Sequence, residues 1–132
     1  MGNPVMQFQI LAKNPDKLAE FYGELFGWQT NADNALGYRT LDTGAGSGIN
    51  GGIWPAPPEG QPMVALFISV DDMAEAVEKA VGLGATVIMP PQKLPDGDEM
   101  AYISDPEGIP VGLFKPAKKI TWPYVISGFP IT

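Results

Sequence analysis

The sequence contains no cysteine and no histidine among its 132 residues. Without cysteine, the chain can form no disulfide, no thiolate nucleophile and no Cys-bound metal site. Without histidine, it lacks the usual general base near neutral pH and the most common metal ligand in proteins. A catalytic Ser-His or Cys-His pair is therefore excluded within this chain.

Basic residues are also scarce. Eight Lys and Arg stand against fifteen Asp and Glu, which gives a formal net charge of −7. A nucleic-acid binder needs a basic stripe that replaces the counterions of the phosphates. Arg39 is the sole arginine, and the pair Lys118 and Lys119 is too short to form such a stripe. We therefore predict no nucleic-acid binding.

Long apolar runs are absent as well. The longest, Met63 to Val70, is far shorter than the roughly 20 residues that cross a bilayer as a helix. Residues 1–6 have neither the basic start nor the apolar centre of a signal peptide, and Met6 stands where a myristoylation motif has Ser or Thr. The sequence thus predicts no membrane association and a cytoplasmic location.

The early part of the chain predicts a strand followed by an amphipathic helix. Polar and apolar residues alternate from Gln7 to Leu11, as in a half-buried strand. Either Asn14 or Asp16 can cap the helix, and Pro15 suits its first turn. Apolar residues then recur at helical spacing: Leu18, Phe21, Tyr22, Leu25 and Phe26. This spacing predicts a helix over 15–26 that ends at Gly27.

The same plan returns 55 residues later, since Met73 and Val81 follow Leu18 and Phe26 by that interval. A strand is predicted over 63–70 and a helix over 72–81, capped by Asp71 or Asp72. Gly82 and Gly84 stop this helix. Short strand-like runs broken by Gly, Pro and Asp follow each helix. The chain is thus predicted to be a duplicated strand–helix–strands unit, not a solenoid, because only two copies are present.

The boundaries follow from these runs. We predict one domain over residues 1–132, with module one at 5–54, module two at 63–115 and an apolar, aromatic tail at 116–132. The further strands are predicted at 28–30, 36–43, 49–54, 85–89, 99–104 and 109–115. Residues 90–98 are predicted to be a long loop, either a lid over a pocket or a hairpin connection. The tail is expected to dock on its own domain or on a partner subunit.

Four short motifs together resemble the vicinal oxygen chelate superfamily, which includes glyoxalase I, bleomycin-resistance proteins and extradiol dioxygenases. They are Asn14-Pro15-Asp16 to Phe21-Tyr22, Leu25-Phe26-Gly27-Trp28, Ser69-Val70-Asp71-Asp72, and Asp105-Pro106-Glu107-Gly108 followed by Val111-Gly112-Leu113-Phe114. The resemblance covers residues 5–115. It implies an α+β fold of two tandem βαβββ modules whose mixed sheet is cupped around a pocket, in a homodimer.

The resemblance also implies where a divalent metal would bind, through one side chain from the first and last strand of each module. These positions fall on Gln7, Ala65, Gly112 and one of Asn50, Gly51 or Gly52. Glutamine is accepted at the first position in some glyoxalases, but the other ligands are missing. We therefore expect no cofactor, and keep a metal held by Gln7 and carboxylates as the alternative.

Strand alternation assigns a set of candidate ligand-binding residues to the cup. Polar candidates are Gln7, Gln9 and Asn50, and aromatic candidates are Tyr38, Trp54, Phe67, Tyr102 and Phe114. Pockets hold few polar groups, so two inward glutamines favour binding of a polar group. The alternative is that the amides bond to backbone or water and the aromatics fill the core.

Three functions remain open from the sequence. The first is a metal-free protein that binds a small, partly aromatic molecule in the cup, as bleomycin-resistance proteins sequester a toxic compound. The second is a metal-dependent lyase or dioxygenase with an atypical oxygen-ligand site. The third is a structural or partner-binding module with a filled cup. The sequence does not decide whether the chain is an enzyme.

Overall fold

A computed structural model describes residues 2–32, 38–56 and 59–118. Within them, two helices and eight strands follow one another along the chain. In order they are β1 (Val5–Ala12), α1 (Pro15–Phe26), β2 (Gln29–Asn31), β3 (Arg39–Asp42), β4 (Gly51–Pro55), β5 (Met63–Ser69), α2 (Met73–Gly82), β6 (Thr86–Lys93), β7 (Glu99–Ser104) and β8 (Pro110–Lys115).

The eight strands form one open, mixed sheet in the order β2-β3-β4-β1-β5-β8-β7-β6. Each βαβββ module contributes four neighbouring strands. The modules meet where β1 pairs antiparallel with β5, while β1 with β4 and β5 with β8 are parallel pairs. The predicted α+β fold of two modules in a cupped sheet is confirmed.

Local sequence explains both helix starts. The Asn14 side chain accepts a hydrogen bond from the Lys17 N–H at 3.2 Å, and Asp72 accepts one from the Glu75 N–H at 3.0 Å. Each satisfies a first-turn donor that has no partner inside the helix. Of the two candidates at each start, the structure thus selects Asn14 and Asp72. Gly27 ends α1 in the left-handed conformation, at φ 74°.

Among the described residues, three clusters of buried side chains form the core, two under the helices and one on the opposite face of the sheet. The α1 cluster is built on Ile10, Leu41 and Ile53, and the α2 cluster on Met73, Ala101 and Leu113. The third cluster fills the floor of the cup and consists of Met6, Tyr38, Phe67 and Phe114. Met6 reaches this face because the register between β1 and β5 shifts between Val5 and Gln7.

The apolar stripe of α1 is only partly covered. Leu18, Ala19 and Tyr22 pack on the sheet, whereas Phe21, Leu25 and Phe26 are each more than half exposed. The 12-residue helix lies over β1, β2 and β4. Its apolar stripe is wider than the surface that these strands offer, so one side of the stripe stays exposed.

Several predicted boundaries differ from the observed ones by one to a few residues, and the largest difference concerns the loop predicted at 90–98. Residues 90–98 are not all loop, because β6 continues to Lys93 and pairs there with Glu99. Pro90 and Pro91 are tolerated because β6 lies at the sheet edge, where a missing N–H breaks no ladder on the open side. The register shifts between Met89 and Gln92. The connecting loop is thus shortened to the residues between Lys93 and Glu99.

Some predictions fall outside the described residues. They include residues 33–34 of the predicted turn at 31–34, the start of the strand predicted at 36–43, part of the connector 55–62, and the tail from 119 onwards. Within the described ranges, none of the helices combines the length and the apolar character needed to cross a membrane.

Candidate functional site

The concave face of the sheet holds a cavity of about 220 Å³. Strands from both modules, together with the loop after β6, bring its ten lining residues together. They are Gln9, Tyr38, Trp54, Phe67, Met89, Gln92, Leu94, Met100, Tyr102 and Phe114. Among these described lining residues, five are aromatic and none carries a charge. An occupant would therefore meet an apolar wall with a few neutral polar groups.

Two glycines make room for the aromatic floor of this cavity. A Cβ at Gly52 would overlap the Tyr38 ring, and a Cβ at Gly112 would overlap the Phe67 ring. Since Gly52 and Gly112 lie on β4 and β8, one glycine in each module lets an aromatic side chain approach the backbone closely. Glycine inside a strand often marks such a close approach.

The rings form the walls in contacting pairs. The Phe67 centroid lies 5.6 Å from that of Tyr102 in an edge arrangement and 6.0 Å from that of Phe114 in a stacked one. Tyr38 and Trp54 form a tilted pair at 5.6 Å. These separations are within the range at which aromatic rings attract one another. The wall is therefore held together by its own contacts.

Three side chains form a buried hydrogen-bond chain behind the rings. Gln7 Nε2 donates to Tyr38 Oη at 3.1 Å, and Tyr38 Oη donates to Gln9 Oε1. Both glutamines are less than 5% exposed, so these partners satisfy amides that would be costly to bury alone. Desolvation raises the pKa of Tyr38 far above its ordinary value, against the hydrogen bond from Gln7.

Tyr102 brings a second phenol to the cavity. Its Oη is buried, and no side chain or backbone group of the described residues forms a hydrogen bond with it. Burial raises the pKa of Tyr102 to about 12, and the nearby Gln9 amide opposes that rise without reaching hydrogen-bond geometry. The phenol therefore keeps its proton at neutral pH.

The rim near β7 is fixed by Asp98, which is fully buried. Its Oδ1 accepts a hydrogen bond from the Ala117 N–H at 2.7 Å, and its own N–H donates to Asp96 Oδ1 at 3.1 Å. Desolvation, with smaller effects from Asp96, raises the pKa of Asp98 to about 6. This carboxyl joins the loop before β7 to the segment that leaves β8.

The structure brings six of the eight predicted site residues around the cavity: Gln9, Tyr38, Trp54, Phe67, Tyr102 and Phe114. Gln7 lies behind Tyr38 and reaches the cavity only through it. Asn50 lies elsewhere, because its Oδ1 accepts hydrogen bonds from the Thr43 N–H and Oγ1 at 3.0 and 3.3 Å. Asn50 closes the turn between β3 and β4 and does not line the cavity.

Four lining residues were not predicted: Met89, Gln92, Leu94 and Met100. Met100 shares the strand parity of Tyr102, so alternation along β7 could have found it. Met89, Gln92 and Leu94 could not be assigned by parity, because the register of β6 shifts on both sides of Met89.

The residues at the implied metal positions do not fit a divalent ion. Ala65 and Gly112 offer no donor atom, and the ring of Phe67 covers Gly112. At the last strand of module one, Asn50 is turned to Thr43 and the Tyr38 ring covers Gly52. Across the described part of the chain, no three His, Cys, Asp or Glu side chains form a cluster suited to a metal. Among the implied positions, this leaves the amide oxygen of Gln7 as the one possible metal ligand.

Comparison with known proteins agrees with this architecture. A sequence profile of the glyoxalase-like domain matches residues 7–114. A candidate glyoxylase named CFP32, from Mycobacterium bovis and Mycobacterium tuberculosis, is 36% identical over 109 residues, which are 76% of this chain and 41% of that protein. The chain therefore spans about two fifths of the length of these relatives.

Solved structures share the fold at low sequence identity. A hypothetical protein from Bacillus halodurans is 13% identical with a TM-score of 0.68, over 92% of this chain and 99% of its own. Methylmalonyl-CoA epimerase from Mycobacterium tuberculosis is 17% identical with a TM-score of 0.59, over 85% and 87%. The match over residues 7–114, together with this fold, places the chain in the vicinal oxygen chelate superfamily. Within that superfamily, the chain belongs to the glyoxalase-like domain family.

Proposed function

We propose that the chain binds a small, uncharged, partly aromatic molecule in the cup, without a metal. The observation that carries this proposal is the composition of the cavity wall, whose described residues include five aromatic and no charged side chains. At about 220 Å³, the cavity is below the roughly 300–1,000 Å³ typical of drug-sized sites, which favours a small occupant. Sequestration of a toxic compound is one form that such binding takes.

The test is a thermal-shift screen of metal-stripped protein against neutral aromatic compounds and, separately, against divalent metals. A ligand at 100 times its dissociation constant adds about 2.7 kcal/mol to the free energy of unfolding. We expect stabilisation by aromatic compounds without metal. Trp54→Ala, which removes one wall of the cavity, should abolish it. Phe21→Ala, an aromatic truncation on the exposed flank of α1, should not.

The outcomes separate the three candidate functions. Stabilisation by metal alone would overturn the proposal in favour of a metal-dependent enzyme. No stabilisation by any compound would favour a module whose cup is filled by its own side chains. Binding that survives Trp54→Ala would place the ligand outside the cavity and would also overturn the proposal.

The similarity to CFP32 is the one observation that favours the second candidate, a metal-dependent lyase or dioxygenase of the glyoxalase type. Since the chain spans only part of that relative, its name is a reason to test this chemistry and no more. The test is metal content after purification, measured by inductively coupled plasma mass spectrometry. One equivalent of Mn, Fe, Ni or Zn, with turnover that chelation abolishes, would support the enzyme.

The homodimer and the cytoplasmic location stay predictions. Light scattering coupled to size-exclusion chromatography measures the first directly, since a dimer has twice the 14.1 kDa mass of the chain. A monomer across the accessible concentration range would contradict it.

A further inference from the structure

The buried polar side chains at the cavity turn their polar atoms toward one another. Gln9 is 3% exposed, and its Oε1 accepts the proton of Tyr38 Oη. The Gln9 amide also lies near the Tyr102 hydroxyl, where it opposes the rise in the pKa of that phenol. Tyr102 Oη itself has less than 1 Å² of accessible surface. A ligand in the cavity therefore contacts the rings of these two tyrosines and not their hydroxyl groups.

Gln92 differs from the other polar lining residues because it is exposed. It lies on β6, the last strand of the sheet, and its Nε2 donates to the Pro90 carbonyl at 3.2 Å. A polar group of a ligand would therefore keep its contact with water, or with an amide, on the side of the cavity where Gln92 lies.

The rest of the wall consists of carbon-rich side chains. They are aromatic, thioether or aliphatic: Trp54, Phe67, Phe114, Met89, Met100 and Leu94. Together with the tyrosine rings, they present an almost entirely apolar surface to the cavity. Thioethers adapt their shape to a ligand and make favourable contacts with aromatic rings. An apolar cavity of about 150 Å³ is large enough for benzene, so this one, of about 220 Å³, has room for a substituted benzene ring.

Such a wall selects its ligand through desolvation. A hydroxyl, amide or carboxylate group that enters it gives up hydrogen bonds to water and gains none in return, which is costly. A methyl or halogen substituent of similar size has no such bonds to lose, and its burial is favourable. Ring substituents of equal size are therefore sorted by their polarity.

We infer that the cup takes the apolar end of its ligand, an aromatic ring that is bare or carries alkyl or halogen substituents, with any polar group directed toward Gln92. This inference rests on the proposed function and adds the chemical class of the ligand. Gln7 and Gln9 then support the floor of the cup through Tyr38 and supply no hydrogen bond to the ligand.

Three para-substituted benzenes of nearly equal shape test this selection. p-Xylene carries two methyl groups, p-cresol one methyl and one hydroxyl group, and hydroquinone two hydroxyl groups. The single hydroxyl of p-cresol can point toward Gln92 and water, whereas hydroquinone must bury one of its two. Binding is measured by NMR titration of the Trp54 indole signal, with hydroquinone kept under argon. We expect p-xylene and p-cresol to bind, and hydroquinone to bind about 5- to 100-fold more weakly than p-cresol, because its inner hydroxyl lacks a partner.

The variant Met100→Gln adds a hydrogen-bonding group to the wall at nearly constant side-chain length. Met100 packs against the cluster on the floor of the cup, so the new amide is placed to serve a buried hydroxyl. The variant should reduce the ratio of the p-cresol affinity to the hydroquinone affinity. Met63→Gln makes the same change on β5, at a methionine that is not among the lining residues, and should keep the wild-type ratio. Circular dichroism verifies that both variants are folded.

The ratio of affinities is the decisive quantity, because a merely loosened fold would weaken all probes together. Equal affinities of p-cresol and hydroquinone, or binding of p-cresol without binding of p-xylene, would overturn the inference while the cup would still be a binding site. A ratio that Met100→Gln leaves unchanged would also overturn it, since hydroquinone would then be rejected for a reason other than its missing partner. No binding by any probe would overturn the inference together with the proposed aromatic-binding function.

Discussion

The ring of Tyr38 lies against the backbone of Gly52, in the space that a side chain at position 52 would need. This contact places the Tyr38 hydroxyl between Gln7 and Gln9. The floor of the cup and its hydrogen-bond chain therefore depend on the absence of a single methyl group.

Gly52→Ala should consequently destabilise the protein and close the site. The new methyl group overlaps the Tyr38 ring and must displace it, which separates both glutamines from their partner. We expect a loss of about 2–4 kcal/mol in the free energy of unfolding, since overpacking and an unsatisfied buried amide act together. Chemical denaturation measures it.

The matched control for this change is Gly82→Ala at the end of α2. A Cβ there meets no atom within 4 Å, and alanine in a helix is favoured over glycine by about 0.5–1 kcal/mol. Gly82→Ala should therefore leave stability unchanged or raise it. A Gly52→Ala protein as stable as the wild type would contradict the observed packing of Tyr38.

Tyr38→Phe isolates the hydrogen bonds from the packing. The ring and its contact with Trp54 remain, while Gln7 loses its acceptor and Gln9 loses its donor. Buried amides without partners cost about 1–3 kcal/mol, so we expect a loss of that size in thermal or chemical unfolding. Tyr22→Phe should change stability by much less. Equal losses in the two variants would mean that the glutamines find other partners.

Much of the fold could be predicted because local signals agree with the tertiary structure. The helix predicted over 15–26 has those bounds in the structure, since Pro15 suits its first turn and Gly27 its end. The strand predicted over 99–104 is also observed. Alternation placed Gln9, Phe67 and Phe114 on one face, and the structure brings these three to the cavity.

The remaining features depend on contacts between distant residues. Strand parity cannot show that Asn50 is engaged by Thr43, or that Tyr38 fits over Gly52. A register shift places Met6 in the cup, and the shifts around Met89 bring the end of β6 to the rim. Such irregularities leave no mark in a hydrophobic pattern, because they arise from pairing with a neighbouring strand.

The apolar stripe of α1 yields a prediction about its unequal coverage. Ile53 is fully buried beneath the helix, whereas Phe21 is 54% exposed on its flank. Ile53→Ala should cost about 2–5 kcal/mol because it leaves a cavity. Phe21→Ala should cost less than about 1 kcal/mol. Chemical denaturation compares the two variants. A loss at Phe21 as large as that at Ile53 would mean that the Phe21 side chain is covered in solution.

Asp98 makes the stability of the folded chain depend on pH. Burial raises its pKa from about 3.8 to about 6, so the folded state holds a proton that the unfolded chain has already released. Between these two values the free energy of unfolding falls as the pH rises, and above about 6 the loss is complete.

Asp98→Asn should remove this dependence. The asparagine keeps an oxygen that can accept the hydrogen bond from the Ala117 N–H, and it never ionises. The free energy of unfolding of the variant should therefore increase relative to that of the wild type as the pH rises. We expect the difference in unfolding free energy between the two proteins to grow from about pH 4 to about pH 6 and then to stay constant. Denaturation at a series of pH values measures it. A difference that does not vary with pH would show that Asp98 titrates in the folded protein as it does in the unfolded chain, and that its burial in the rim exerts no electrostatic cost.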